Sequence, residues 1–177
     1  RGRPVHHPDD GKAGGGWGHA ALFGEQPDRR GGAGIIGTGL GGGILHEGRG
    51  VAGSQGVGGE LGHVLLPLAT LIDQLPDLAG LSPRCNCGRS GDLESLCSLT
   101  AIRRNLLPHF LPQYPGHPLA GVEPAAAAVR VRGLAAEGDP MCRVIFQVQA
   151  RALGLFFDQM INVFDPDALI VGGGAIE

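Results

Sequence analysis

Residues 34–45 read GIIGTGLGGGIL, in which two short apolar runs flank a cluster of glycines around Thr38. The pattern predicts either a β-hairpin with a glycine-rich turn or a strand that enters a phosphate-binding loop. The Lys-Ser/Thr pair of a Walker loop is absent and no helical pattern follows, so neither that motif nor the Rossmann fingerprint fits. Glycines still let backbone N–H groups approach an anion, and Thr38 adds a hydroxyl donor. Phosphate binding and a flexible turn therefore both stay open.

The composition of the chain predicts one folded domain behind a weakly ordered leading segment. The chain has 177 residues, of which 42% are hydrophobic, and a net charge of −3. The mild acidity argues against a nucleic-acid partner, and the lack of any run of about 18 apolar residues argues against a membrane span. Residues 1–34 combine glycine, proline, histidine and charge with few large apolar side chains, so we expect the folded region to cover 35–177.

Hydrophobic periodicity in the second half predicts three helices and a strand. The first helix begins at Asp92 as its N-cap and ends at Pro108. The second covers about 124–137 and the third about 140–163, each with proline in its first turn. A short buried strand over 168–171 follows, and this order of elements indicates an α/β or α+β fold. The first helix carries an apolar stripe at helical spacing, formed by Leu93, Leu96, Cys97, Thr100 and Ala101.

Glu60 and His63 place a carboxylate and an imidazole three residues apart around Gly62. In a turn both can face one site, where Glu60 would accept hydrogen bonds from two sugar hydroxyls and the two nitrogens of His63 would serve two partners. Taken alone, the pair is more typical of a surface turn. Glu94 would lie in the first turn of the first helix, where it either favours the helix dipole or points into a site.

Cys85 and Cys87 are separated by one residue within a loop bent by glycines. Together with Asp92, five residues further on, and His63, they supply four candidate ligands for tetrahedral Zn²⁺. The alternative is a pair of buried free thiols. Cysteines in this spacing favour a metal over a disulfide and hence a reducing, cytoplasmic location. Packing is the expected role of the two cysteines on apolar helix faces, Cys97 and Cys142.

Three segments together resemble the ROK family of repressors, open reading frames and sugar kinases. They read GTGLGGGILHEGRGVAGSQGVGGELGHVLLPL, CNCGRSGDLES and INVFDPDALIVGGG, and they occur in the family's order. The resemblance implies an actin-like, ribonuclease-H-like α/β fold with two lobes and a cleft. The chain would be the end of the first lobe plus most of the second, with the domain over 35–177 incomplete at both ends. A homodimer is also implied.

The resemblance also implies a hexose substrate, with ATP, Mg²⁺ and a structural Zn²⁺ as cofactors. The sugar hydroxyls would be bound by Glu60, His63 and Glu94. The nucleotide would be bound by two glycine turns, of which Gly37, Thr38 and Gly39 would face the phosphates and Gly172, Gly173 and Gly174 the adenosine. Zn²⁺ would be bound by the second ring nitrogen of His63 and by the two thiolates of Cys85 and Cys87.

Two positions depart from the family's pattern. Asp92 stands where the family has a third zinc cysteine, so the site is either His-Cys-Cys-Asp or metal-free, with Asp92 as a helix cap. Trp17 stands where the family has the aspartate base, and an indole has no basic lone pair to accept the sugar's proton. No catalytic residue is therefore assigned, and we expect little activity from this chain alone.

These features lead to one principal hypothesis and two alternatives. The principal one is a sugar kinase of glucokinase type, which phosphorylates a hexose such as glucose. A non-catalytic sugar-sensing protein, like a regulator's effector domain, is the first alternative. A zinc-stabilised interaction module without a small ligand is the second.

Overall fold

The computed structural model describes residues 31–36, 39–47 and 49–173. The N-terminal segment over 1–30, including Trp17, lies outside these residues, as do Gly37, Thr38 and Gly174. The predictions that concern those positions are therefore not addressed by the fold.

A four-stranded mixed sheet forms one side of the described region. Its strands are β1 (Gly31–Ile36), β2 (Leu40–His46), β3 (Arg49–Gly50) and β4 (Ala168–Gly172), in the spatial order β3-β2-β1-β4. β1 and β2 pair antiparallel as the predicted hairpin, and β4 pairs parallel to β1. The hairpin and the late strand are both confirmed. A parallel pair requires a crossover, and the helices between β2 and β4 provide it.

Two long helices match their predicted boundaries. They are α4 (Pro124–Glu137) and α5 (Pro140–Phe164). The Glu123 carboxylate accepts the N–H groups of residues 125 and 126 at the start of α4, and Gly138 ends that helix with φ of 101°. Asp139 caps α5 by accepting the N–H of Cys142 at 2.8 Å. Local capping residues therefore fix these ends.

The prediction of a helix that begins at Asp92 is wrong. Residues 92–98 form turns, and α2 (Leu99–Ala101) begins where Ser98 Oγ accepts the Ala101 N–H at 2.9 Å. A π-helical turn (Ile102–Leu106) and α3 (Leu107–Phe110) continue α2. Pro108 does not end the helix as predicted: it lies in the first turn of α3, directly after the π-helical turn. A further short helix, α1 (Leu68–Gln74), precedes the cysteines.

The core lies between the helices and the inner face of the hairpin. It extends from Leu40 on β2 to Met160 on α5, and most of the predicted stripe around Leu93 and Leu96 lies in it. Cys97 and Cys142 are fully buried in this core, which confirms their packing role. Among the described residues, no helix is both long and apolar enough to cross a membrane.

Candidate functional site

The segment that carries Glu60 and His63 packs against the start of β2 at backbone distance. Leu61–His63 form one 3-10 turn. A Cβ atom on Gly62 would come well within 3.0 Å of the Leu40 carbonyl oxygen, and a Cβ on Gly42 would lie 2.6 Å from the Leu61 side chain. Only glycine permits this approach. The glycines of both motifs therefore bring the Glu60–His63 turn next to the hairpin.

Backbone hydrogen bonds then join this turn to the segment after the cysteines. The N–H of Leu93 donates to the Val64 carbonyl at 3.0 Å, and the N–H of Glu94 donates to the Gly62 carbonyl at 2.8 Å. These two bonds enclose His63 and bring it beside Asp92, 29 residues further along the chain. The pairing is what assembles the site from distant parts of the sequence.

The cysteine loop is a tight knuckle held by a buried amide. The N–H of Cys85 donates to the Arg89 carbonyl at 2.9 Å, which closes the loop. Asn105, on the π-helical turn, accepts the Arg84 N–H at 3.2 Å and donates to the carbonyls of Arg84 at 3.0 Å and Ser95 at 2.8 Å. Asn105 is not among the site residues predicted from the sequence. The sequence signal for Asn105 is its position: it is a polar residue four positions after Ala101, at the spacing of the buried helical stripe.

The four predicted metal ligands come together in the structure. Their ligand atoms, on His63, Cys85, Cys87 and Asp92, all lie within 4.8 Å of one another. Nδ1 of His63 is 3.1 Å from Oδ2 of Asp92 and 3.7 Å from Sγ of Cys85, and Sγ of Cys87 is 3.5 Å from the same Oδ2. Ordinary Zn–S, Zn–N and Zn–O bond lengths in a tetrahedron separate such atom pairs by about 3.3 to 3.6 Å. The donor set therefore fits Zn²⁺ in both chemistry and spacing.

The electrostatics of the cluster also suit a cation. Burial raises the pKa of the Cys85 thiol well above its ordinary range; the Cys87 N–H opposes this shift and the nearby Asp92 carboxylate adds to it. A divalent ion would offset these negative groups and take the thiols as thiolates, with release of their protons.

Asp92 performs two tasks that the sequence presented as alternatives. Its side chain is fully buried. Oδ1 accepts the Ser95 N–H at 3.0 Å, which is a capping contact, while Oδ2 faces the cluster. The Ser95 hydroxyl donates back to the Asp92 carbonyl at 2.6 Å. One carboxylate therefore closes the turn and contributes to the donor set.

The three candidate sugar ligands differ in their surroundings. Glu60 is half-buried, and none of the described residues hydrogen-bonds to its carboxylate. The side chain of His63 is 33% exposed, and because Nδ1 faces the cluster, Nε2 lies on the opposite side of the ring. Both oxygens of Glu94 contact protein atoms: Oε2 accepts the Leu40 N–H at 3.0 Å, and Oε1 lies 3.4 Å from the Cys85 thiol.

The strands that precede the two glycine turns end at the same edge of the sheet. Because β1 and β4 are parallel, with Ile35 opposite Gly172, the chain leaves both strands on the same side. Gly39 is exposed there, and Gly173 follows β4 with φ of 113°. Backbone N–H groups of two adjacent glycine turns are a suitable surface for an anion.

A second group of potential ligands is a hydrogen-bonded cluster. His117, Asp139 and Cys142 have their ligand atoms within 4.8 Å of one another. Nδ1 of His117 accepts the Leu119 N–H at 3.1 Å, so Nε2 carries the proton and donates it to Asp139 at 3.0 Å. Neither nitrogen offers a lone pair to a metal, and the cluster instead ties the preceding loop to the start of α5.

Similar proteins of known activity are sugar kinases. The chain is 35% identical over 141 residues to a glucokinase from Thermotoga maritima, with 78% of this chain and 41% of that protein covered. It is 31% identical over 143 residues to an N-acetyl-D-glucosamine kinase from Escherichia coli O6:H1, with 79% and 42% covered. The chain thus spans about two fifths of the length of these curated relatives.

Solved structures give the same fold. A ROK hexokinase from Thermus thermophilus has a TM-score of 0.69 at 27% identity, covering 93% of this chain and 47% of that one. A ROK glucokinase from Streptomyces griseus, in complex with glucose and AMPPNP, has a TM-score of 0.64 at 28% identity, with 90% and 49% covered. A ROK transcriptional regulator, a homologue of the E. coli MLC protein, has a TM-score of 0.64 at 29% identity, with 90% and 37% covered.

The predicted fold, a partial actin-like, ribonuclease-H-like α/β ATPase fold, is confirmed by these structures. The sequence pattern of the ROK family matches residues 31–177, which include the hairpin, the cysteine knuckle and the final strand. The motifs, their assembly into one site and these matches agree, and the chain belongs to the ROK family.

Proposed function

We propose that this chain belongs to a sugar kinase that transfers a phosphoryl group from ATP to a hexose such as glucose. The observation that carries the proposal is the packing of Gly62 against Leu40. It brings the turn with Glu60 and His63 directly beside the strand that follows the glycine turn. A sugar hydroxyl and a terminal phosphate must be neighbours for in-line transfer, and this packing supports such an arrangement.

The proposed sugar contacts divide between three side chains. Glu60 would accept hydrogen bonds from two hydroxyls, for which its half-buried carboxylate has no competing partner among the described residues. His63 would use Nε2, since Nδ1 faces the cluster. Glu94 would contribute at the edge of the same site, beside Gly39.

The proposed nucleotide contacts come from the two glycine turns. Gly37, Thr38 and Gly39 would face the phosphates of ATP with Mg²⁺, and the turn at 172–174 would face the adenosine. The shared sheet edge of β1 and β4 supports this arrangement. The Leu40 N–H already donates to Glu94, so the turn itself would supply the phosphate donors.

Zn²⁺ is the proposed resident metal of the knuckle. His63, Cys85, Cys87 and Asp92 would hold it, and its chemistry there is structural. The bond to Nδ1 would fix the imidazole tautomer and keep Nε2 directed away from the metal. Two ligand thiols must stay reduced, which supports a cytoplasmic location. A homodimer, with the domain over 35–177, completes the proposal.

A hexose-dependent ADP assay tests this function. The parent chain with ATP, Mg²⁺ and a panel of glucose, mannose and N-acetylglucosamine should show little turnover, because Trp17 stands at the proposed base position. Trp17→Asp should raise the rate about 100-fold, the lower range of general-base assistance. Trp17→Ala, which removes the ring without adding a base, is the matched control and should not.

Two results would contradict parts of this proposal. Robust turnover by the parent chain that disappears in Glu60→Ala would show that the base lies elsewhere. Glucose binding without turnover in both the parent and Trp17→Asp would favour a sugar sensor instead. That second candidate is supported by the similarity to a ROK transcriptional regulator and by Trp17 itself.

A further inference from the structure

The Glu94 carboxylate connects two elements that are far apart in the sequence. Oε2 accepts the N–H of Leu40, 54 residues away, at 3.0 Å, and Oε1 lies 3.4 Å from the Cys85 thiol. A Cβ on Gly39 would lie 3.0 Å from Oε2, so the carboxylate also lies against the last residue of the glycine turn. Glu94 is thus wedged between the hairpin and the knuckle.

Leu40 is the residue that determines where the glycine turn ends. It pairs with Ile36 in the last register position of the hairpin, so only residues 37–39 remain between the two strands. Leu40 is 7% exposed, and its carbonyl lies against Gly62. The N–H of Leu40, by contrast, is held by a carboxylate from another segment. A hydrogen bond to a charged acceptor is stronger than one between neutral groups.

We propose that Glu94 is a positioning residue for the glycine turn, acting through the Leu40 N–H. Its carboxylate fixes the backbone N–H of Leu40, at the point where the chain leaves the turn and enters β2. The role in phosphate binding rests on the proposed function, whereas the hydrogen bond to Leu40 is a property of the fold. The role adds to the proposed sugar contact of Glu94, because each carboxylate oxygen can accept more than one hydrogen bond.

Substitutions that change the reach of the side chain test the proposal. Glu94→Gln keeps a carbonyl oxygen at the same distance and should keep the Leu40 amide protected. Glu94→Asp is shorter by one methylene and cannot reach Leu40, and Glu94→Ala has no acceptor. In both, hydrogen exchange of the Leu40 amide, followed by NMR, should be at least about tenfold faster.

A matched variant controls for general loosening. Glu123→Gln alters another carboxylate that accepts backbone N–H groups, at the start of α4, and should leave Leu40 unchanged. Glu94→Asp is the smaller change and serves if Glu94→Ala fails to fold. Unchanged exchange in a folded Glu94→Ala or in Glu94→Asp, or equal loss of protection in Glu94→Gln and Glu94→Ala, overturns the proposal.

Binding of MgADP and glucose separates the positioning role from the proposed function. Positioning predicts that Glu94→Gln keeps the MgADP affinity of the parent while Glu94→Asp lowers it at least fivefold. Equal MgADP affinities in the two variants would overturn the positioning role. A parent chain that binds neither MgADP nor glucose would refute the proposed function, and the Leu40 exchange rates would still decide whether Glu94 holds the turn.

Discussion

Replacement of Gly62 by alanine is the most informative single change in this structure. The added Cβ would fall well within 3.0 Å of the Leu40 carbonyl oxygen and 3.2 Å from its carbonyl carbon. These are backbone atoms of a paired strand, so no flexible side chain can absorb the overlap. The two segments would have to separate by about 1 Å, at a cost we place near 3 kcal/mol, the upper part of the range for overpacking.

Thermal unfolding measures this cost. A loss of about 3 kcal/mol should lower Tm by about 6–12 °C in a chain of this size. Because His63 follows Gly62 directly, the same displacement should also weaken Zn²⁺ binding. Gly50→Ala in β3 is the matched control in the same sheet, since its Cβ would have nothing within 4 Å. Gly133→Ala, in open space on α4, should raise stability by about 0.5–1 kcal/mol.

A Tm for Gly62→Ala no lower than that of Gly50→Ala would contradict the packing of Gly62 against Leu40. That result would mean that the turn and the hairpin are not in backbone contact, and the proximity of sugar and phosphate sites would lose its support. A lowered Tm with unchanged Zn²⁺ affinity would refute only the link between this packing and the metal cluster.

Three other substitutions address the knuckle and the helix caps. Asp92→Asn should keep the cap on Ser95 but weaken the affinity for Zn²⁺ at least about tenfold. Asp92→Cys should bind Zn²⁺ more tightly and lose about 1 kcal/mol of stability in the metal-free state. Zinc competition titrations and unfolding of both variants check this. Asn105→Ala removes three hydrogen bonds to the backbone, of which the one to the Ser95 carbonyl is buried and the two to Arg84 are partly buried, and should cost about 1–3 kcal/mol in urea unfolding; an undiminished midpoint would contradict its role. Burial raises the pKa of Asp139, but hydrogen bonds from Cys142 and His117 lower it further, so the net pKa is below its usual value. The ionised Asp139 carboxylate therefore stabilises the folded state. This stabilisation is complete above about pH 4 and is lost as the pH falls through the lowered pKa. Asp139→Asn should flatten the acid limb of a curve of stability against pH, and an unchanged limb would refute this.

Features with local causes could be predicted from the sequence. Proline in the first turn and Gly138 after the last one define α4, and Asp139 with the following proline defines the start of α5. The hairpin follows from apolar runs on both sides of glycines. The cysteine spacing and the nearby Asp92 point to the metal cluster because ligand chemistry restricts the choice of side chains.

Features that depend on long-range contacts could not be predicted in the same way. Asp92 has the local pattern of a helix N-cap, yet its second oxygen faces His63 and the helix starts seven residues later, at Leu99. Asn105 is identified as the support of the knuckle only once Arg84 is known to pack against it. The hydrogen bond from Leu40 to Glu94 joins residues 54 positions apart, and no periodic pattern in the sequence indicates it.

The proposed hexose site lies beside the four candidate metal ligands, to which His63 contributes. Calorimetric titration of glucose into the zinc-loaded chain tests it most directly, with Glu60→Gln and the chelator-treated protein as comparisons. We expect saturable binding by the zinc-loaded parent, at least tenfold weaker binding by Glu60→Gln, and weaker binding after zinc removal. Absence of glucose binding by the zinc-loaded parent, or binding that neither Glu60→Gln nor zinc removal alters, would contradict it.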